Sequence, residues 1–437
     1  MPTKRSTKLD EKSIAKLLEQ TLGETVIDRI ARSCGFLRRK REVTPMLLVV
    51  ACISALGTAT ISWLADIQRT FNRLTGKAVR YKPFHNQLSK PSFPKLFQAL
   101  VQEALNHLVL PTLQALPDHK LSMFRDIIAH DGSSFALKDS LARTYPGRFT
   151  KVSPAAVELH VTMSLKDDAV RCVVLAPDKE AEREFAPEPQ EVAGCLLLED
   201  RGYESRKTLK AIDDAGGFFI IRGNMSIRPT IVQARDPEGV RIRHLEGKRL
   251  ELRILPQHNV DLQIKWGKGK NLYSGRIVCL YRRGRRNKKR FVYLHTNLKS
   301  ADFSLQEVGQ LYRLRWQIEL VFRDWKSHAN LHSFDTSKAT IAEGLIWASL
   351  LAAIVKRFVA HAAEHALRVE ISTQRVAVAA RHYLDDILRC LLSGTRALAK
   401  VLSHVFAYLR ENARRAHPKR DRKSGRLAAG LQPAALA

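Results

Sequence analysis

Acidic side chains are in short supply in this chain of 437 residues. Its 43 Asp and Glu face 73 Lys and Arg, leaving a net charge of +30 and a pI near 10.2. That balance repels other basic surfaces and attracts polyanions, so nucleic acid is the first candidate partner. Anionic membranes or ribosomal RNA would satisfy the charge alone equally well. Cysteine is sparse too. The six (Cys34, Cys52, Cys172, Cys195, Cys279, Cys390) are scattered without a C-x2-C pair. This pattern argues against a disulfide frame or a zinc site and predicts reduced, mostly buried thiols of a cytosolic protein. The opening MPTKRSTKLDEKS lacks the apolar core of a signal peptide, and no internal repeat is visible. Of long apolar runs there is little beyond Met46–Ala65, which has about the length needed to span a bilayer. Ser54, Gly57, Thr58, Thr60 and Ser62 dilute it, so a buried helix capped by Thr44 and opened by Pro45 explains it better than an anchor.

What is present divides by texture. Residues 1–120 read as a helical N-terminal region. Its stretch Phe71–Lys90 mixes basic and aromatic side chains suited to phosphate contact, and a solvated loop would look similar. From about residue 121 the pattern turns to strands. Ile127–Leu137 (IIAHDGSSFAL) carries Asp131 near its middle, and Ala156–Leu165 and Val170–Leu175 follow with β-branched enrichment. Cys195–Tyr203 (CLLLEDRGY) is a short apolar strand with Asp200 at its end. A helix over Glu204–Ala215 then leads to the strand Phe218–Ile221 and Arg222. Residues 225–295 read as a β-rich insertion with strands at Ile242–Leu245, Leu250–Leu255, Asp261–Trp266 and Arg276–Tyr281. Within it, Tyr281–Arg290 (YRRGRRNKKR) packs seven positive charges into ten residues. Arg285, Arg286, Lys288 and Lys289 on this loop are candidate phosphate contacts, although a solvated hairpin tip would have the same composition.

Residues 296–335 contain Ser304–His328, SLQEVGQLYRLRWQIELVFRDWKSH. Ser304 and Glu307 form a capping box, and the segment predicts one helix of about six turns. At about 100° per residue, Tyr312, Arg315, Glu319 and Lys326 fall within roughly 60° of one another. Leu311, Leu314, Ile318, Val321 and Trp325 make a neighbouring apolar stripe. Helices continue over 336–410, and the apolar part Ile341–Val359 is too short between Glu343 and Lys356 to cross a membrane. The basic tail 411–437 reads as disordered.

The spacing Tyr-x2-Arg-x3-Glu-x6-Lys resembles the Y-R-E-K signature of DDE transposases of bacterial insertion sequences, in the insertion sequence four family. Asp131 in H-D-G-S and Asp200 in E-D-R-G-Y match that family's two aspartate motifs, so the resemblance covers about residues 125–330. It implies an α/β fold, with an RNase H-like catalytic domain interrupted by a β-rich insertion and flanked by helical regions. It further implies that Asp131, Asp200 and Glu319 are catalytic and hold two Mg²⁺ ions, with Mn²⁺ a substitute. Hard cations take carboxylate oxygens, and a metal pair can stabilise the attacking and leaving oxygens of a phosphodiester. Water would attack first, then the freed 3′-OH. Tyr312, Arg315 and Lys326 would grip phosphates, and Arg222 joins them as a DNA-binding candidate. In relatives that form DNA hairpins an aromatic wedges beside a flipped base; here that role falls to Phe291 or Tyr293. The partners implied are double-stranded DNA, as terminal inverted repeats and target, and a second copy of the chain. No membrane is implied, and the location is the bacterial cytoplasm at the nucleoid. Two other readings compete. A non-catalytic DNA-binding descendant would lack one of the acids, and an RNase H-like nuclease without strand transfer would not need the basic insertion.

Overall fold

The computed structural model describes residues 9–39, 41–269, 272–283, 289–331, 334–416 and 425–434. Six helices come first: α1 (Glu11–Leu22), α2 (Glu24–Ser33), α3 (Pro45–Thr58), α4 (Leu64–Thr75), α5 (Tyr81–Leu88) and α6 (Ser92–His107). Local chemistry sets their starts. Asp10 accepts the Ser13 amide at 2.8 Å and Thr44 that of Leu47 at 3.3 Å, satisfying donors that a first turn leaves free. The apolar run Met46–Ala65 is not one helix: it breaks after Thr58, the end of the 14-residue α3, which is buried nearly all round, and resumes at Leu64 as the start of α4. At 1.5 Å per residue α3 is too short to cross a bilayer.

Nine strands then build one mixed sheet, in the order β4-β3-β2-β5-β6-β10-β9-β8-β7. Numbering leaves β1 (Leu113–Ala115) for a small separate pair. β2 (Ile127–Ala136), β3 (Ala156–Ser164) and β4 (Ala169–Pro177) form an antiparallel meander. β5 (Leu196–Glu199) adds to β2 in parallel, and β6 (Phe218–Arg222) adds to β5 in parallel after the crossover helix α7 (Arg206–Asp214). Alternation along the strands sends neighbours to opposite faces. Ile127 and Ala129 enter the larger core, shared with the helices, while Ile128 enters a smaller one on the other side.

The β-rich insertion is continuous with this sheet rather than set apart from it. β10 (Lys289–Thr296) pairs with β6, and β9 (Tyr273–Arg283), β8 (Val260–Trp266) and β7 (Thr230–Arg235) extend outward from it. Two of its expected strands are absent. Ile242–Leu245 and Leu250–Leu255 instead contain 3-10 turns, Arg243–Leu245 and Leu252–Ile254. Their apolar side chains Leu245, Leu250 and Leu255 plug the smaller core, and Gly247 between them turns the chain at φ +75°.

The expected six-turn helix is two, α8 (Leu305–Arg313) and α9 (Trp316–His328). The capping box forms as read: Ser304 N donates to Glu307 Oε2 at 2.8 Å and Glu307 N to Ser304 Oγ at 3.3 Å. At the break the amides of Leu314 and Arg315 bond back three residues, to Leu311 and Tyr312, which tightens the coil locally. α10 (Ala339–Leu367) follows, then α11 (Thr373–Ala379), α12 (Leu384–Leu391) and α13 (Thr395–Asn412). With 29 residues α10 outruns the stretch Ile341–Val359 and is long and apolar enough to cross a membrane, yet 83% of its most apolar window is buried inside the protein. It is a core helix, packed against α3 and α6.

Of the tail 411–437 read as disordered, residues 417–424 and 435–437 lie outside the described residues, and the described stretch 425–434 is packed on the rest of the chain. β11 (Leu431–Pro433) pairs with β1, and Arg426 is buried against the Asp168 carboxylate at 2.7 Å. An ion pair and the fully buried Leu431 outweigh the low apolar content on which that reading rests.

Candidate active site

Two adjacent parallel strands set the stage. Ala129 on β2 pairs with Leu198 on β5, so Asp131 and Asp200 each lie two residues further along, side by side at the same edge. Asp200 stands just past the end of its strand, where the chain enters a 3-10 turn (Arg201–Tyr203). The tight turn before α9 carries Arg315 and Glu319 over that edge. One guanidinium then spans two carboxylates: Arg315 Nη1 lies 2.5 Å from Asp131 Oδ2, and Nη2 lies 3.1 Å from Glu319 Oε1. Asp131 and Glu319 are thus separated by no more than one guanidinium and its two hydrogen bonds. Asp200 has its own pair of donors. The Tyr312 hydroxyl donates to Oδ1 at 3.3 Å, and Arg222 Nη1 donates to the same oxygen at 3.4 Å. Lys326 sits further along the face, donating to the Ser134 carbonyl at 2.7 Å.

Electrostatics tie the three acids together. Burial pushes the Asp131 carboxyl up to about 6; Arg315 opposes the rise, and the charges of Glu319 and Asp200 add to it. Burial also holds the Tyr312 phenol protonated, with the Asp200 charge acting in the same sense. Glu199, directly before Asp200, was not singled out by its sequence. Both its carboxylate oxygens are buried without a hydrogen-bond partner among the described residues, and burial, reinforced by Asp131, raises it to about 8. Only its place on a buried strand beside an acid could have marked it. His130 turns to the opposite sheet face, its Nδ1 2.9 Å from Thr162 Oγ1 and its ring edge-on to Tyr203.

Other site candidates do not join this group. Phe291 and Tyr293 are 4% and 1% exposed, and Phe291 packs on Tyr281 with ring centroids 5.4 Å apart. Neither ring is free to wedge beside a base, because alternation along β10 turns both into the smaller core. Arg285, Arg286 and Lys288 lie outside the described residues; Lys289 opens β10.

The donor set suits a hard divalent cation, being all carboxylate oxygen with no sulfur or imidazole. The mutual repulsion that raises Asp131 is what such a cation would relieve. Among the described residues, however, no three acidic, His or Cys side chains converge as a metal cluster. The Arg315 guanidinium takes up the space between Asp131 and Glu319.

Comparison with known proteins points the same way as the arrangement of acids. Residues 122–355, more than half of the chain, match the family model described as Transposase DDE domain. The transposase for insertion sequence element IS231E of Bacillus thuringiensis subsp. finitimus is 20% identical, over 92% of this chain and 92% of its own length. That for IS1151 of Clostridium perfringens is 22% identical over 72% and 74%. The putative transposase InsL for IS186A of Escherichia coli (strain K12) is 41% identical, over only 64 residues.

Proposed function

The chain belongs to the transposase DDE domain family, and from that membership we propose that Asp131, Asp200 and Glu319 are the acids of its DNA strand cleavage and transfer. It is a transposase, an enzyme acting on DNA. The observation that carries the site assignment is the single Arg315 guanidinium joining Asp131 to Glu319 beside the Tyr312–Asp200 contact. An RNase H-like core is supported by the strand order β4-β3-β2-β5-β6 with its two parallel pairs. On this reading residues 1–120 bind DNA, 225–295 are the insertion within the catalytic sheet, and the terminal repeats are held by a dimer.

Asp131, Asp200 and Glu319 would hold divalent metal, with Mg²⁺ the first candidate and Mn²⁺ able to replace it. When bound, the metal supplies charge stabilisation at the attacking and leaving oxygens and acidifies water. The chain's own groups do the rest. Arg315 offers a planar fork that matches a phosphate as well as it matches its present carboxylates. Arg222 and the Tyr312 hydroxyl, both on Asp200, keep that carboxylate aimed at the edge of the sheet. Lys326 adds a point charge further along the face.

Glu319→Gln tests the assignment, since it keeps size and hydrogen bonding but removes the charge. Strand cleavage should fall at least about a thousandfold, several kcal/mol of transition-state stabilisation, while gel-shift affinity for the same DNA survives. Equal cleavage by the wild type and this variant would remove Glu319 from the site.

A further inference from the structure

Beside the acids lies a recess of about 310 Å³ between α8 and the outer face of β9 and β10, at the lower end of ligand-sized pockets, roughly 300–1,000 Å³. Four arginines line it: Arg222, Arg282, Arg313 and Arg315. None of its lining residues is acidic. Two of the four are already engaged, Arg222 with Asp200 and Arg315 with Asp131 and Glu319. Arg282 and Arg313 are exposed, and neither pairs with a carboxylate among the described residues. Tertiary packing brings them together. Arg282 is near the end of β9 and Arg313 ends α8. Gly309 lets the helix settle onto the strand, since a Cβ there would stand only 3.0 Å from Leu280 Cδ1.

Arg282 and Arg313 stand beside two further guanidiniums with no carboxylate of their own among the described residues, and like charges so placed repel, so the recess gains most from an anion with several acceptor oxygens. Tyr312 is a shared wall of the recess and of the acid site, which places the anion next to the reacting phosphodiester. We propose that this recess is a phosphate subsite for the DNA strand that runs into the acids, gripped by Arg282 and Arg313. The proposal rests on the transposase reading above, and it assigns to two residues outside the Y-R-E-K face the task of fixing strand register. An open basic surface would take any phosphate; a recess takes one at a set distance from the cut.

The test pairs a protein change with a DNA change in the full-length chain. The probe is a duplex carrying the terminal repeat that flanks the coding sequence, with single methylphosphonates placed one at a time within a few nucleotides of the cut. One neutralised position should weaken wild-type binding about tenfold or more, the loss of a charged hydrogen bond. The double variant Arg282→Gln, Arg313→Gln should bind the unmodified duplex correspondingly less well and be indifferent to that same position. If every methylphosphonate weakens variant and wild type by equal factors, the two arginines hold no particular phosphate and the subsite is overturned. A wild-type chain that neither binds nor cuts the unmodified duplex overturns the transposase reading instead, and the subsite falls with it.

Discussion

Arg315 is the residue on which the proposed site turns, because on that reading it would serve two kinds of partner in succession. Without DNA its fork neutralises Asp131 and Glu319, only 11% of its side chain being exposed. A phosphate and a metal would between them replace that arrangement, the phosphate taking the guanidinium and the metal taking the carboxylates. Arg315→Ala should therefore push two affinities in opposite directions. Removing a positive charge within hydrogen-bond distance of two acids should tighten Mn²⁺ binding to the DNA-free protein about tenfold. Losing a charged hydrogen bond to phosphate should weaken DNA binding by about the same factor. A Mn²⁺ titration followed by electron paramagnetic resonance, and a gel shift, read the two. Unchanged Mn²⁺ affinity would show that the guanidinium does not compete with metal.

At the scale of elements, α9, the helix that carries Glu319, is held by what lies behind it. Just past α9, Asn330 adopts φ +54° and donates to the carbonyls of Leu56 and Ala59 at 2.8 and 2.6 Å, closing the exposed end of α3. Lys356 on α10 reaches the carbonyls of Gly57 and His328, bridging the ends of α3 and α9. Burial lowers its ammonium to about 8, against the pull of Asp324, and carbonyl ends of helices are a favourable place for the charge that remains. α10 is thus the post to which both the N-terminal helices and α9 are fixed. It approaches α6 closely at Gly344, where any Cβ would overlap the Phe93 ring. Gly344→Ala should raise helix propensity and still destabilise the protein, by about 1–3 kcal/mol of overpacking. Denaturant unfolding with an unchanged m-value would measure it, and a stabilised variant would mean that Phe93 can move aside at no cost.

For the whole molecule, the chain's last described segment is tied to its middle through one buried acid. Asp168 turns the chain between β3 and β4 at φ +49°. Its Oδ1 is 2.7 Å from both Arg357 Nη2 on α10 and Arg426 Nη1 in the C-terminal segment. Burial alone would raise this carboxyl, but Arg357 and Arg426 overcome it and bring it from 3.8 down to about 2. A depressed folded-state pKa contributes stability that is complete above the unfolded value and lost as pH falls through the folded one. Asp168→Asn keeps the turn, which Asn tolerates, and removes the carboxylate charge that Arg357 and Arg426 share, at a cost of about 3–5 kcal/mol. Between pH 5 and pH 2 the gap between wild type and variant should narrow by about 2 kcal/mol. Unfolding curves across that range check it; a constant gap would mean that the carboxylate charge contributes nothing.

The sequence by itself determined the chemistry that was available and the elements that carry it. Period and capping were enough to see the strand bearing Asp131, a short apolar strand leading to Asp200, and a capped helical segment bearing Glu319; that the short strand stops one residue before Asp200 was not visible. Those signals are local: a strand alternates and a capping box closes within three residues, whatever the rest of the chain does. Tertiary structure alone decided how side chains far apart in sequence meet. Whether Arg315 bonds Asp131, 184 positions away, depends on a break in a helix that its own pattern reads as continuous. The insertion joined the main sheet because β10 found the free edge of β6, and Phe291 turned inward with it. The C-terminal segment looks disordered from its low apolar content, but the partner that orders it, Asp168, lies on a distant turn. Composition reports what a segment can bury of its own; it is silent on what another part of the chain brings to it.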